Sequence, residues 1–198
     1  MINNLDNMMT AGGESLSLRD PLLMILVGES GAGKSAFCDF VNRPEEYFSS
    51  SEAIERKLEE DGQPINHDTV HAFATEAYGE NPEWQVPNIL GKLATRNFLI
   101  LDGPRRLAEV EALRRNHQNT LIVRLTAPKE DRYKRLQQRD GVDAEVFDRI
   151  IHDERSETEL GQILKMADQV IDNDKTLEDF KQKALEVQHL LDSLEEKK

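Results

Sequence analysis

The 198-residue chain has one cysteine, Cys38, so an intramolecular disulfide is excluded and the composition fits a reducing compartment. No apolar run approaches the roughly 20 residues of a membrane span. Before Arg19 there is no Lys or Arg, and no continuous apolar stretch, so the start reads as neither a secretory signal nor a basic transit peptide. Residues 1–20 are expected to be a flexible leader and residues 21–198 a single domain, located in the cytoplasm. Positive charge is also scarce. Lys and Arg total 25 against 38 Asp and Glu, a formal net charge of −13 that would repel a nucleic-acid backbone or an anionic lipid surface. Neither is expected as a partner.

What positive charge exists is concentrated. Lys and Arg number 5 against 16 acids over residues 1–91, 12 against 5 over residues 92–139, and 8 against 17 over residues 140–198. A cationic centre in an acidic chain is expected where arginines gather around a polyphosphate; a solvated helix face gives the same count.

Apolar runs at residues 22–27, 97–101 and 121–126, with shorter ones at 47–48 and 169–171, read as buried strands. Helical patterns lie between them. They cover residues 34–41, a stretch from 51 to Asp61-Gly62, a helix from Val70 closed by Gly79, one opened by Pro87, a face carrying Leu107, Val110 and Leu113, a charged helix from Pro128 to about Arg139, and another from Ala144 to Lys165. A terminal amphipathic helix comes after Thr176 as N-cap. Alternating strands and helices imply an α/β fold of three layers around a parallel sheet of about five strands.

Gly28-Glu29-Ser30-Gly31-Ala32-Gly33-Lys34-Ser35 satisfies G-x-x-x-x-G-K-[ST] between an apolar strand and a helix, the setting that gives this pattern its meaning. Its glycines allow a tight turn that aims backbone N–H groups at phosphate oxygens. Lys34 can reach the β and γ phosphates, the Ser35 hydroxyl can ligate Mg2+, and the helix start through Ala36 adds its dipole. The loop, Gly28 to Ala36, is the expected ATP site. Asn173 and Lys175 do not form the N-K-x-D guanine signature, which disfavours GTP.

Other segments carry a family resemblance. Leu99-Ile100-Leu101-Asp102-Gly103-Pro104-Arg105 resembles the strand-end D-G-x-P-R segment of the small-molecule P-loop kinases, the group containing nucleoside monophosphate kinases and dephospho-CoA kinase. Ala127-Pro128 with Glu130, Arg132, Arg135-Leu136 and Arg139 resembles the start of that group's arginine-bearing lid. Asp153-Glu154-Arg155 and Ala167 to Asn173 resemble the later lid and last strand of dephospho-CoA kinases and of uncharacterised archaeal adenylate-kinase-like proteins, to which the overall match is closest. The resemblance spans residues 22–190 and implies a P-loop NTPase fold with a helical lid near 128–160 and an acceptor-binding helical region near 50–95. It also implies ATP- and Mg2+-dependent phosphoryl transfer to a nucleotide or nucleotide-like acceptor.

Phosphoryl transfer requires cations around the migrating group and exclusion of water. Lys34, Arg139 and Arg155 are the expected catalytic cations, although arginines such as Arg132 and Arg135 can equally pair with acids on a solvated helix. Asp102, at the carboxyl end of a strand, can hold a magnesium-bound water, orient the acceptor, or cap the next helix. Arg105 can grip the acceptor. Ser50 to Arg56 resembles the D-A-D-x-I-x-R stretch of dephospho-CoA kinases at Glu52, Ile54 and Arg56, but Ser50 stands where those have an Asp. Without that acid, and with Glu52, Arg56 and Arg105 as substrate contacts, the expectation is a phosphate oxygen as acceptor. Transfer to a sugar hydroxyl is the alternative, with Glu52 as base. An ATP-binding regulatory or assembly protein is the reading from outside enzymology, and the arginine-bearing lid argues against it. His67 and His71 share a helix face without the further ligands of a zinc site, Cys38 reads as a core residue, and Trp84 either packs or lines the acceptor pocket.

Overall fold

The computed structural model describes residues 10–11, 14–17, 20–156 and 159–195, the side chains of residues 14, 67, 68, 71, 155, 156, 194 and 195 excepted. Two short strands, β1 (Thr10–Ala11) and β2 (Glu14–Ser15), pair antiparallel. They lie within the segment expected to be a flexible leader, where Ala11 and Leu16 pack on the core. Asn119 anchors the chain between β2 and the main sheet. Its Nδ2 donates to the carbonyls of Ser17, Asp20 and Pro21 at 2.9–3.0 Å, and its Oδ1 accepts from Ser17 N at 2.8 Å.

The main sheet is parallel, in the order β4 (Tyr47–Ser49), β5 (Phe98–Asp102), β3 (Leu22–Val27), β6 (Thr120–Thr126), β7 (Gln169–Asp172). Every residue of β3 is buried, because a central parallel strand is covered on both faces. One face packs on α1 (Lys34–Val41) and α9 (Leu177–Glu195), with Leu22, Met24 and Leu26 meeting Phe37, Val41, Phe180 and Leu191. The other packs on α4 (Val86–Leu93) and α5 (Leu107–Asn116), with Leu23, Ile25 and Val27 meeting Ile89, Leu93, Val110 and Leu113. Alternation along one strand thus feeds both layers, each large side chain contributing about 1.5–3 kcal/mol of burial. This is the three-layer α/β fold expected.

Two helices sit beside the sheet. α2 (Ser50–Glu60) starts where Ser49 accepts from Glu52 N, and it packs against α3 (His67–Glu80) through Ile54, Leu58 and Tyr78. Gly79 does not close α3. The helix runs on to Glu80, fixed at its start by a capping box of Asn66 and Thr69. Trp84 packs edge-on against Phe73 and Tyr78, with ring centroids 5.8 Å apart in each case. Over the other end of the sheet lie α6 (Lys129–Asp140) and α7 (Ala144–Ser156), joined through Leu136, Phe147 and Ile151 as the helical lid. The single helix expected from Ala144 to Lys165 is two: a short α8 (Leu160–Ile163) and a 3-10 turn, Leu164–Met166, precede β7. Among the described residues no helix is long and apolar enough to cross a membrane.

Candidate active site

The register places the site. Leu26 pairs with Asp102 and Val27 with Arg124, so the loop after β3 emerges beside the carboxyl end of β5, where open α/β sheets bind ligands. The loop is enclosed by close contacts. A Cβ on Gly28 would meet the Leu125 carbonyl oxygen at 2.6 Å, and Gly33, at φ +105°, would place one 2.5 Å from Asn173 Nδ2. Asn173 Nδ2 donates to Ala32 O at 3.0 Å, and Arg135 donates to Gly31 O (3.2 Å), Asn173 O (3.1 Å) and Asn173 Oδ1 (3.2 Å). Buried Arg132 pairs with Glu29 (3.2 Å) and donates to Ser30 O (3.4 Å). So the first two lid arginines hold the phosphate loop itself instead of pairing with acids on their own helix.

Lys34 folds back to donate to Gly28 O at 2.8 Å. Burial lowers its pKa and Arg105 adds to that, against the opposing charges of Asp102 and Glu154. An ammonium in this position gains by meeting an anion. Asp102 accepts from the Tyr47 hydroxyl at 2.8 Å through Oδ2, while its other oxygen is buried without a hydrogen-bond partner among the described residues. Burial and the Asp102 charge both raise the Tyr47 pKa, so the hydroxyl stays a donor. Cys38 is a thiol packed on the core, its pKa pushed up by burial and then by Asp102.

Two clefts flank the loop. The first, about 540 Å3, is lined by Ser30, Gly31 and Gly33 to Ala36 of the loop and by Arg135, Arg139, Asn173, Lys175 and Leu177 among others. The second, about 1040 Å3, lies between α2, α3 and α7 and is lined by Ser30, Ser50, Ile54, Glu55, Tyr78, Arg105, Arg106, Asp153 and Glu154 among others. Ser30 lines both. There the Glu154 carboxylate accepts from Ser30 N (3.1 Å to each oxygen) and Ser30 Oγ (2.7 Å), and Arg105 pairs with it at 3.0 Å. Burial works to raise the Glu154 pKa, but the Ser30 hydrogen bonds and the Arg105 cation together hold it below the usual carboxylate range. Glu154 is an anion at neutral pH.

The expected site residues divide accordingly. Lys34, Asp102 and Arg105 come together with the loop. Glu52 and Arg56 do not line the larger cleft and are exposed. The reason is helix phase. At about 100° per residue, Ser50, Ser51, Ile54 and Glu55 form one arc of α2 and Glu52 and Arg56 fall on the opposite side. Arg139 lines the smaller cleft, not the larger, and pairs with Asp140 at 2.7 Å. Arg155 lies on α7, and its side chain, like those of His67 and His71, is outside the described residues. Trp84 packs with Phe73 and Tyr78 and does not line the larger cleft. Ser35 is exposed at the start of α1, beside Lys34. The residues missed by the sequence reading are Tyr47, Arg106, Glu154 as a loop contact, and Asn173. Arg106 lies over the Tyr78 ring at 5.5 Å and makes no ion pair among the described residues.

Tyr78 has a second role beneath the cleft. Its hydroxyl accepts from Gln85 Nε2 at 3.0 Å and faces Glu109, a fully buried acid whose pKa burial raises to about 7, with Tyr78 offsetting part of that. A carboxyl protonated in the fold up to pH 7, but in the unfolded chain only up to its ordinary value of 4.5, binds more protons when folded between those limits. Stability is therefore expected to fall as pH rises from about 4.5 to 7, by on the order of 3 kcal/mol, and to level off above that. Glu109→Gln should remove that slope, read as Tm against pH.

No family model matches the chain. Its backbone superposes on shikimate kinase from Bacteroides thetaiotaomicron with a TM-score of 0.57 at 19% identity, over 86% of this chain and 98% of that one. TT1252 from Thermus thermophilus gives 0.53 at 17%, over 85% and 96%. Fold and loop together define a protein of the P-loop NTPase fold, of the kind seen in that shikimate kinase. In sequence the chain is 30% identical over 175 residues to a UPF0200 protein of Saccharolobus islandicus, covering 83% of this chain and 91% of the relative. It is 25% identical over 173 residues to a UPF0200 protein of Pyrococcus horikoshii, covering 82% and 93%. The chain belongs to the UPF0200 family.

Proposed function

We propose that this protein transfers the γ-phosphoryl group of ATP to a nucleotide or nucleotide-like acceptor. The observation that carries the reading is the meeting of two clefts at Ser30, with Lys34, Asp102, Arg105 and Glu154 around the junction. The smaller cleft holds the phosphate loop and suits the triphosphate, its Gly28 to Ala36 backbone and Lys34 cradling the anion. The larger has an apolar wall of Ile54, Val70, Ala74 and Tyr78 and room for a ligand of nucleotide size.

Magnesium fits this arrangement. The orphaned buried oxygen of Asp102 and the Ser35 hydroxyl are the donors expected, and Mg2+ is ordinarily bound by one or two protein oxygens together with substrate phosphates. Among the described residues no cluster of three or more His, Cys, Asp or Glu forms a cage of its own. When bound, the ion would neutralise charge developing on the phosphate oxygens. Tyr47 orients Asp102, and Arg132 and Arg135 keep the loop open to the anion.

An ADP-release assay with ATP across nucleosides, nucleoside monophosphates and dephospho-CoA tests the proposal. Acceptor-dependent ADP formation is the expected result; ATP binding with no acceptor-dependent turnover across the panel would overturn it in favour of a regulatory ATP-binding protein. Arg139 and Arg155 are proposed to stabilise transferred charge on lid closure. Arg139→Ala is accordingly expected to lower kcat by about 10-fold or more with ATP affinity within about 3-fold, since charge stabilisation confined to the transition state appears in kcat. Steady-state kinetics against calorimetric Kd separates the two.

A further inference from the structure

On the proposed reaction the phosphoryl group passes from the loop cleft to the acceptor cleft at Ser30, the lining residue they share among those described. That residue is already bonded to a carboxylate. Glu154 takes both the Ser30 N–H and its hydroxyl, and Arg105 at its side is paired to it. Around this point the cleft presents three acids, Glu55, Asp153 and Glu154, against Arg105 and Arg106, while Arg56 lies outside. A phosphate nucleophile would bring a charge of about −1.5 to −2 against an ionised carboxylate at the point of transfer. A hydroxyl brings no charge and one proton, which an anchored carboxylate can receive.

We infer that the acceptor atom is a hydroxyl of the ligand, and that Glu154 takes its proton. The inference rests on the phosphotransferase reading and narrows it, reversing the phosphate-acceptor expectation: of its two cations, Arg56 lies outside the cleft and Arg105 is paired with Glu154. The step balances. The hydroxyl oxygen bonds to the γ-phosphorus as the bond from that phosphorus to the β,γ-bridging oxygen breaks; the bridging oxygen keeps the electron pair and leaves on ADP; the hydroxyl proton passes to the Glu154 carboxylate and then to solvent. A weakly basic carboxylate suffices, because a loose phosphoryl-transfer transition state needs the proton oriented more than removed early. Arg106, over Tyr78 and without an ion pair among the described residues, is placed to hold an anionic group elsewhere on the same ligand. The acceptor class is therefore an alcohol that carries a separate anion, as a nucleotide-like ligand with a free sugar hydroxyl does.

Phosphorus NMR of the product from the acceptor panel is the direct test: a phosphate monoester is expected, and a new anhydride would overturn the inference while leaving phosphoryl transfer standing. Absence of any acceptor-dependent product would remove both. With the active acceptor, Glu154→Gln should lower kcat by about 10²-fold or more with KM for ATP within about 3-fold, and Glu154→Asp should restore part of it. The amide preserves shape and can still accept from Ser30, so an unchanged circular dichroism spectrum is expected. Should Glu154→Gln reduce folding, Glu154→Asp against Glu154→Ala at matched folded fraction carries the comparison. A Gln variant with kcat within about 3-fold of wild type would overturn the role of Glu154.

Discussion

Lys34→Ala is expected to lower kcat/KM for ATP by about 10²–10³-fold, the range for losing one preorganised charge donor at a developing phosphate charge. The fold should survive it. Among the described residues Lys34 makes one hydrogen bond, to the carbonyl of Gly28, and burial already works against its ionised form, so little of the fold's stability is expected to rest on it. Calorimetric titration with ATP and a thermal melt decide the matter together. Lost affinity with an unchanged Tm supports a phosphate ligand; equal losses in both would make Lys34 a structural residue and the loop assignment would fail.

A second large effect should come from Gly33→Ala. The residue sits at φ +105°, and an added methyl would lie 2.5 Å from Asn173 Nδ2 and 3.3 Å from the Phe180 ring. The left-handed backbone costs about 1–3 kcal/mol for a residue with a side chain, before any clash. Displacing Asn173 would also break its bond to Ala32 O and disturb the Arg135 contacts that hold the loop. The expected result is a Tm lower by roughly 5–10 °C together with loss of measurable ATP binding. Gly62→Ala is the control, since that glycine has positive φ but open space around it, so it should lose part of the stability and none of the binding.

How much of this could be read from residues alone depended on sequence distance. Parallel strands covered on both faces print as apolar runs, so Leu22–Val27 and Phe98–Asp102 were legible, and the phosphate loop is a contiguous eight-residue pattern between strand and helix. The contacts that finish the site are remote. Asn173 meets Ala32 across 141 residues, Glu154 meets Ser30 across 124, and Tyr47 meets Asp102 across 55. No local periodicity announces these pairings; the sheet order brings them together. At α2 the helix was legible but its rotation was not, and one position decided whether Glu55 or Arg56 lined the larger cleft. The cationic stretch 92–139 was likewise only half understood. Arg105, Arg106, Arg135 and Arg139 line the clefts, whereas Arg114 is bound to Asp168 and Arg115 to Glu83 in structural pairs.

The single residue shared by both clefts also sets how the two ligands would sense each other. A molecule filling one cleft would end near Ser30, where a molecule in the other would begin, so the two would be neighbours. One compound joining a triphosphate mimic to an acceptor mimic would need only a short tether to cross Ser30. Its second half would then bind at the millimolar effective concentration typical of short linkers, and its affinity would exceed that of either half by about 10²–10⁴-fold.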